Sequence, residues 1–138
     1  MDTQLNRSTT ALRTALGLMA TLAGIDKFFN LLADWPSYIA PVAQQLLPVT
    51  PDTFMWLVGV VEIAVGLTVL AIRPSIGAFI ASAWLVLVAA NLVLGGDFDI
   101  AVRDLVLAVA AYTLGVLEQA RATTPAAAHA PRRGLVTA

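Results

Sequence analysis

The chain has 138 residues, of which 59% are hydrophobic and 12% charged, with a net charge of −1 and a mean hydropathy of +0.82. Soluble domains carry about 25% charged residues, so a water-soluble core is the remote alternative, and without a basic surface there is nothing to hold nucleic acid. There are no cysteines, which excludes disulfides, thiol redox chemistry and thiolate metal sites. The one histidine, His129, lies in a polar tail, which excludes an imidazole-held haem among the apolar segments and leaves no metal site to expect.

Residues 1–10 are polar and are expected to fray. The first apolar run covers residues 11–32. Asp26-Lys27 follows its long apolar stretch without a small-x-small cleavage signal, so it reads as a retained helix rather than a leader. Residues 34–52 hold Pro36, Pro41, Pro48 and Pro51, and no long helix can pass through them. Between those prolines, residues 42–47 are long enough for one short interfacial helix, flanked by Trp35, Tyr38 and Trp56 in the manner of an aromatic belt.

Thr50 or Asp52 is expected to cap the second apolar run, residues 54–72. Arg73-Pro74-Ser75 turns the chain into a third, 76–94, and Gly95-Gly96-Asp97 into a fourth, 100–117. Each run approaches the roughly 20 apolar residues needed to cross a bilayer. The prediction is an all-α fold. Residues 11–120 form a four-helix transmembrane bundle with a short interfacial segment between the first two spans. Residues 121–138 form a disordered cytoplasmic tail.

Charge gives the orientation. Arg7, Arg13, Arg73, Arg121, Arg132 and Arg133 all fall on one side of such a bundle, and the opposite loops carry Asp34, Asp52, Asp97 and Asp99 with no Lys or Arg. By the positive-inside rule both termini are expected in the cytoplasm. Small residues at helical spacing mark the packing seams, with Gly17 and Gly24 on the first helix and Gly59 and Gly66 on the second. Gly77 and Ala81 serve the third helix, and Ala101, Ala108 and Gly115 the fourth.

Glu62 stands in the middle of the second run. A carboxylate at that depth costs about 2.5–3.5 kcal/mol on insertion scales and persists when it faces a partner or a pathway. Every span contributes polar groups to the same half of the bundle. They are Asp26, Lys27 and Asn30 from the first, Glu62 from the second, Asn91 from the third, and Asp99, Arg103 and Asp104 from the fourth. These eight are the candidate site for a small ligand or a proton.

Lys27 and Arg103 are the two cations available to Glu62, and Asp99 precedes Arg103 by one helical turn, the spacing of an intrahelical pair. Asp26, Glu62 and Asp104 outnumber Lys27 and Arg103, so one carboxyl is expected to hold a proton. Trp84, deep in the third run, reads as core filler ahead of a ligand platform.

Three segments taken together, Gly24-Ile25-Asp26-Lys27-Phe28-Phe29-Asn30, the G-x-x-E-x-x-x-G pattern of Gly59, Glu62 and Gly66, and Asp99-Ile100-Ala101-Val102-Arg103-Asp104, resemble the DoxX-like family of small bacterial membrane proteins. Trp84-Leu85 and Asn91-Leu92 fit that family's third helix, and the resemblance spans about residues 11–118. It implies a four-helix bundle in the bacterial inner membrane. It also implies an accessory or quinone-facing subunit of a redox or stress-related complex, not an enzyme on its own, with a membrane or peripheral oxidoreductase as partner and homo-oligomerisation left open. Without cysteine, such a role concerns quinone or a partner rather than a protein thiol. Two alternatives stand beside it. One is a small-molecule or proton-coupled carrier working through Glu62, and the other a structural or chaperone-like membrane protein whose polar network only fixes its fold.

Overall fold

The computed structural model describes residues 3–123, and every regular element among them is helical. In chain order they are α1 (Thr3–Asp26), a 3₁₀ turn at Trp35–Tyr38, α2 (Pro41–Leu46), α3 (Pro51–Leu67), α4 (Pro74–Gly95) and α5 (Phe98–Thr123). A π-helical turn, Thr68–Ile72, extends α3.

Three of these helices are long and apolar enough to cross a membrane: α3 with its π turn (Pro51–Ile72), α4 and α5. The first two have 22 residues each, roughly 33 Å of helix at 1.5 Å per residue. Helix α1 is 24 residues long but is not among them. Arg7, Arg13 and Asp26 lie within it and bound its apolar part to 14–25. Four spans were predicted from the sequence; length and apolarity support three.

The helix ends follow local chemistry. Thr50 caps α3, its hydroxyl oxygen accepting from the Thr53 N–H at 3.3 Å, and Pro51 occupies the first helical position. The π turn closes with Arg73 N–H donating to Thr68 O at 3.1 Å, and Pro74 starts α4 where a donor is not needed. Gly96 ends α4 at φ 92°, and the Asp97 N–H reaches back to Leu92 O at 2.9 Å in a glycine-dependent cap. Helix α1 stops where Asn30 takes a left-handed φ of 51°, its N–H donating to Asp26 O at 2.7 Å.

Three element boundaries differ from the predicted ones. Residues 3–10, expected to fray, continue α1 because α5 continues beside them. Arg121 donates to Asn6 Oδ1 at 3.0 Å, to Asn6 O at 3.1 Å and to Thr10 Oγ1 at 3.2 Å. Glu118 accepts from Arg121 at 2.9 Å and lies 3.8 Å from Arg13. The first helix also ends at Asp26 rather than Leu32. Residues 121–123 belong to α5, and the rest of the predicted tail, with His129, Arg132 and Arg133, lies outside the described residues.

The four long helices form a ring in the order α1, α3, α4, α5, so α3 and α5 stand on opposite corners. Helix α1 lies closest to α3. A Cβ at Gly24 would stand 2.6 Å from Gly59 O, and one at Gly59 2.6 Å from Gly24 O, so only glycine permits this approach. Gly17 and Gly66 repeat the contact two turns away. Helix α4 packs on α5 through Gly115 against Phe79, and on the π turn through Gly77 against Val69.

The main apolar core, built on Leu16, Val65, Val69, Ala78, Ala81, Ala111 and Leu114, fills the half of the bundle where α1 begins and α5 ends. The other half, beneath the 35–46 segment, is only partly filled. Ala89, Leu92 and Ala101 close the α4–α5 seam there.

Candidate functional site

The unfilled half holds a cavity of about 810 Å³ bounded by all four long helices and by the segment between α1 and α3. This lies within the roughly 300–1,000 Å³ range of small-molecule pockets. Its lining is mainly apolar. The polar side chains that reach it are Lys27, Tyr38, Glu62, Asn91, Arg103 and Asp104, together with the indoles of Trp35 and Trp84.

Lys27 and Glu62 form its centre. The glycine contact at Gly24 and Gly59 lets the Lys27 stem lie against Gly59. From there its ammonium reaches Glu62, one turn further along α3. Lys27 Nζ donates to Glu62 Oε2 at 2.6 Å, with the two side chains 5% and 13% exposed. Each ion is backed by a tryptophan. Lys27 Nζ stands 3.7 Å from the centre of the Trp35 ring, a cation–π contact. Trp84 Nε1 donates to Glu62 Oε1 at 3.4 Å, across from α4. Glu62 and Trp84 both lie near the middle of their 22-residue spans.

Asp26 is one step removed. Its carboxylate accepts from Leu31 N at 3.1 Å, from Leu32 N at 2.9 Å and from Trp35 Nε1 at 2.8 Å. It therefore satisfies the chain as it leaves α1 and fixes the ring that covers Lys27. Neutral donors supply what a third cation would have supplied. Every buried side-chain nitrogen or oxygen among the described residues has a partner.

Asn91 belongs to the wall rather than to a ligand. Its Nδ2 donates to Tyr38 O at 2.7 Å and its Oδ1 accepts from Ala40 N at 3.0 Å, which pins the loop over the bundle. Arg103 pairs with its neighbour. Nε and Nη2 both donate to Asp104 Oδ1 at 3.2 Å, replacing the predicted pair with Asp99. The Arg103 side chain is 65% exposed while Asp104 is 8% exposed, so the guanidinium is anchored along one edge with Nη1 uncommitted.

Of the eight predicted site residues, five line the cavity: Lys27, Glu62, Asn91, Arg103 and Asp104. Asp26 stands behind Trp35. Asn30 and Asp99 are exposed and outside it, Asn30 as the left-handed residue ending α1 and Asp99 in the first turn of α5. Trp84, expected as filler, lies in the cavity wall instead. Trp35, placed by sequence in an interfacial belt, covers the central lysine; the signal that could have found it is its position eight residues after Lys27, beyond the end of the helix. Trp56 does keep an outward position, 47% exposed and stacked on Phe28 with ring centres 6.4 Å apart.

The arrangement supplies hydrogen-bond donors at Lys27 and at Arg103 Nη1, acceptors at Glu62 and Asp104, and an apolar surround. No cluster of three or more potential metal ligands occurs among the described residues. Compared with protein-family models, curated proteins and solved structures, the chain gives no significant match in any of the three.

Proposed function

We propose that this protein is a four-helix integral membrane protein that binds a small lipid-soluble molecule in the cavity around Lys27 and Glu62. We read it as a DoxX-like, quinone-facing accessory subunit of a membrane redox or stress-related complex in the bacterial inner membrane, with both termini cytoplasmic. In this reading α1 crosses the bilayer with the three more apolar helices. Its glycine seam with α3 supports that placement, because a helix packed so closely against a span is carried with it.

The observation that carries the proposal is the buried Lys27–Glu62 pair at mid-depth in the wall of a cavity of about 810 Å³. A pair serving only to hold two helices together needs no space beside it. Intramembrane ionisable groups mark ligand and proton sites by default. A quinone fits the chemistry present. The apolar lining takes a ring and part of a chain, and a carbonyl oxygen accepts from the Lys27 ammonium or from Arg103 Nη1. Glu62 and Asp104 hold those cations in place, and Glu62 is the group positioned to exchange a proton with a bound oxygen. Asn91 is spent on the loop and contributes shape only. When bound, a quinone supplies two-electron, two-proton redox chemistry, and the electrons come from the partner oxidoreductase.

Native mass spectrometry and quinone titration of the purified protein test this reading. Wild type is expected to bind, and Arg103→Gln and Glu62→Gln to bind at least tenfold more weakly. Absence of quinone binding by wild type, or equal binding by all three, leaves the polar network a structural device.

A further inference from the structure

The cavity is covered at one end, and exposed residues line it on more than one side: Met19 on α1, Leu32 beyond its end and Arg103 on α5 as well as residues of α4. At its end Ile39 and Ala40 are 2% and 0% exposed, and the two Asn91 hydrogen bonds hold that stretch down. Between α3 and α4 the contacts lie elsewhere. The helices meet where Gly77 packs on Val69, and again at mid-length through Trp84 and Glu62. Nearer the loop, Leu87 and Leu94 line the cavity and are also 62% and 66% exposed. Ala90, between them on the same stripe of α4, lines it and is exposed as well. Phe54 and Val58 of α3 line the same cavity. These five residues carry hydrocarbon only, whereas the exposed lining at α5 includes the charged Arg103. The charged pair Arg103–Asp104 lies on α5, the corner opposite α3.

From this placement we infer that the gap between α3 and α4 is a lateral portal, through which the cavity takes a lipid-borne amphiphile directly from the surrounding membrane. Its hydrocarbon chain lies along Leu87, Ala90 and Leu94, and its acceptor head turns toward Lys27 and Arg103. In water these leucines would be a costly exposure, whereas beside acyl chains they are matched, and the ligand's chain continues the lipid phase into the protein. The ligand needs no passage through the 35–46 segment, which is why that segment is fastened. The inference rests on the membrane-embedded binding site proposed above and adds its route and the hydrocarbon tail its ligand must carry.

The two cavity indoles report on it. In the Trp56→Phe protein, which keeps only Trp35 and Trp84, reconstituted into phosphatidylcholine vesicles, mid-chain dibrominated stearic acid is expected to quench at least half the emission and acrylamide little of it. Narrowing the gap with Leu87→Phe, or with the more exposed Leu94→Phe, is expected to reduce bromine quenching at least twofold. Stronger quenching by acrylamide than by the brominated acid would show that the cavity opens to water and would overturn the portal. So would equal bromine quenching in the narrowed and parent proteins. Quinone binding without bromine quenching removes the portal and leaves the site. Bromine quenching relieved by narrowing, in a protein that binds no quinone, keeps the portal and removes the quinone.

Discussion

Lys27 and Glu62, thirty-five residues apart in sequence, meet at 2.6 Å because Gly24 and Gly59 bring their two helices into backbone contact. The ion pair and the glycine seam are one construction. The seam sets the distance, the lysine stem runs over the second glycine, and the carboxylate waits one turn on. Removing either half disturbs the other.

Breaking the pair from one side strands a buried charge, which costs about 3–5 kcal/mol. Lys27→Leu and Glu62→Leu are each expected to destabilise by that order, and the double substitution to recover a substantial part. Thermal unfolding in a mild detergent measures the coupling. A double variant as unstable as the summed singles would show that the two side chains contribute independently.

The seam should not accept even a methyl group. Cβ atoms at Gly24 and Gly59 would each press on a backbone carbonyl oxygen at 2.6 Å, which no side-chain rotation relieves. Gly59→Ala is expected to cost about 1–3 kcal/mol, the usual range for overpacking. The same unfolding assay reads it, and Gly96→Ala, whose Cβ would meet nothing within 4 Å but whose φ is 92°, provides a contrast in which only backbone strain is added.

Asn91→Leu removes both hydrogen bonds that hold Tyr38 and Ala40. At about 0.5–1.5 kcal/mol per bond, the loss is of order 1–3 kcal/mol. Hydrogen exchange should quicken in residues 35–46 while α4 and α5 stay protected. Unchanged exchange in that loop would mean that the prolines alone hold it.

The proposed orientation rests on the basic residues. Cysteines introduced at Ser8 and Thr123, both exposed, are expected to resist an impermeant thiol reagent in intact cells, and one at exposed Ser37 to react. The reverse pattern would invert the bundle and place the cavity toward the cytoplasmic leaflet.

Much of this was legible without coordinates. Apolar run length marked four candidate spans, and three of them are helices long and apolar enough to cross a membrane, where a backbone must satisfy its own hydrogen bonds. The prolines between 36 and 51 determined the broken connection, since proline cannot continue a helix. Glu62, Lys27, Arg103 and Asp104 were visible as charges in apolar company, and that anomaly is local to the sequence.

What the tertiary structure decided was which groups meet. Spacing favoured an Asp99–Arg103 pair, but the guanidinium turns to Asp104, whose carboxylate is buried beside it where the attraction is less screened. Lys27 and Arg103 were equal candidates for Glu62, and the close approach of α1 to α3 chose Lys27. Charge counting had no way to foresee that two backbone amides and an indole, rather than a cation, would serve Asp26. Residues 3–10 were expected to fray, and Arg121, more than a hundred residues away, holds them in helix. Periodicity and composition report on neighbours along the chain, whereas a partner across a helix seam, and the space left where no partner comes, exist only once the helices have packed.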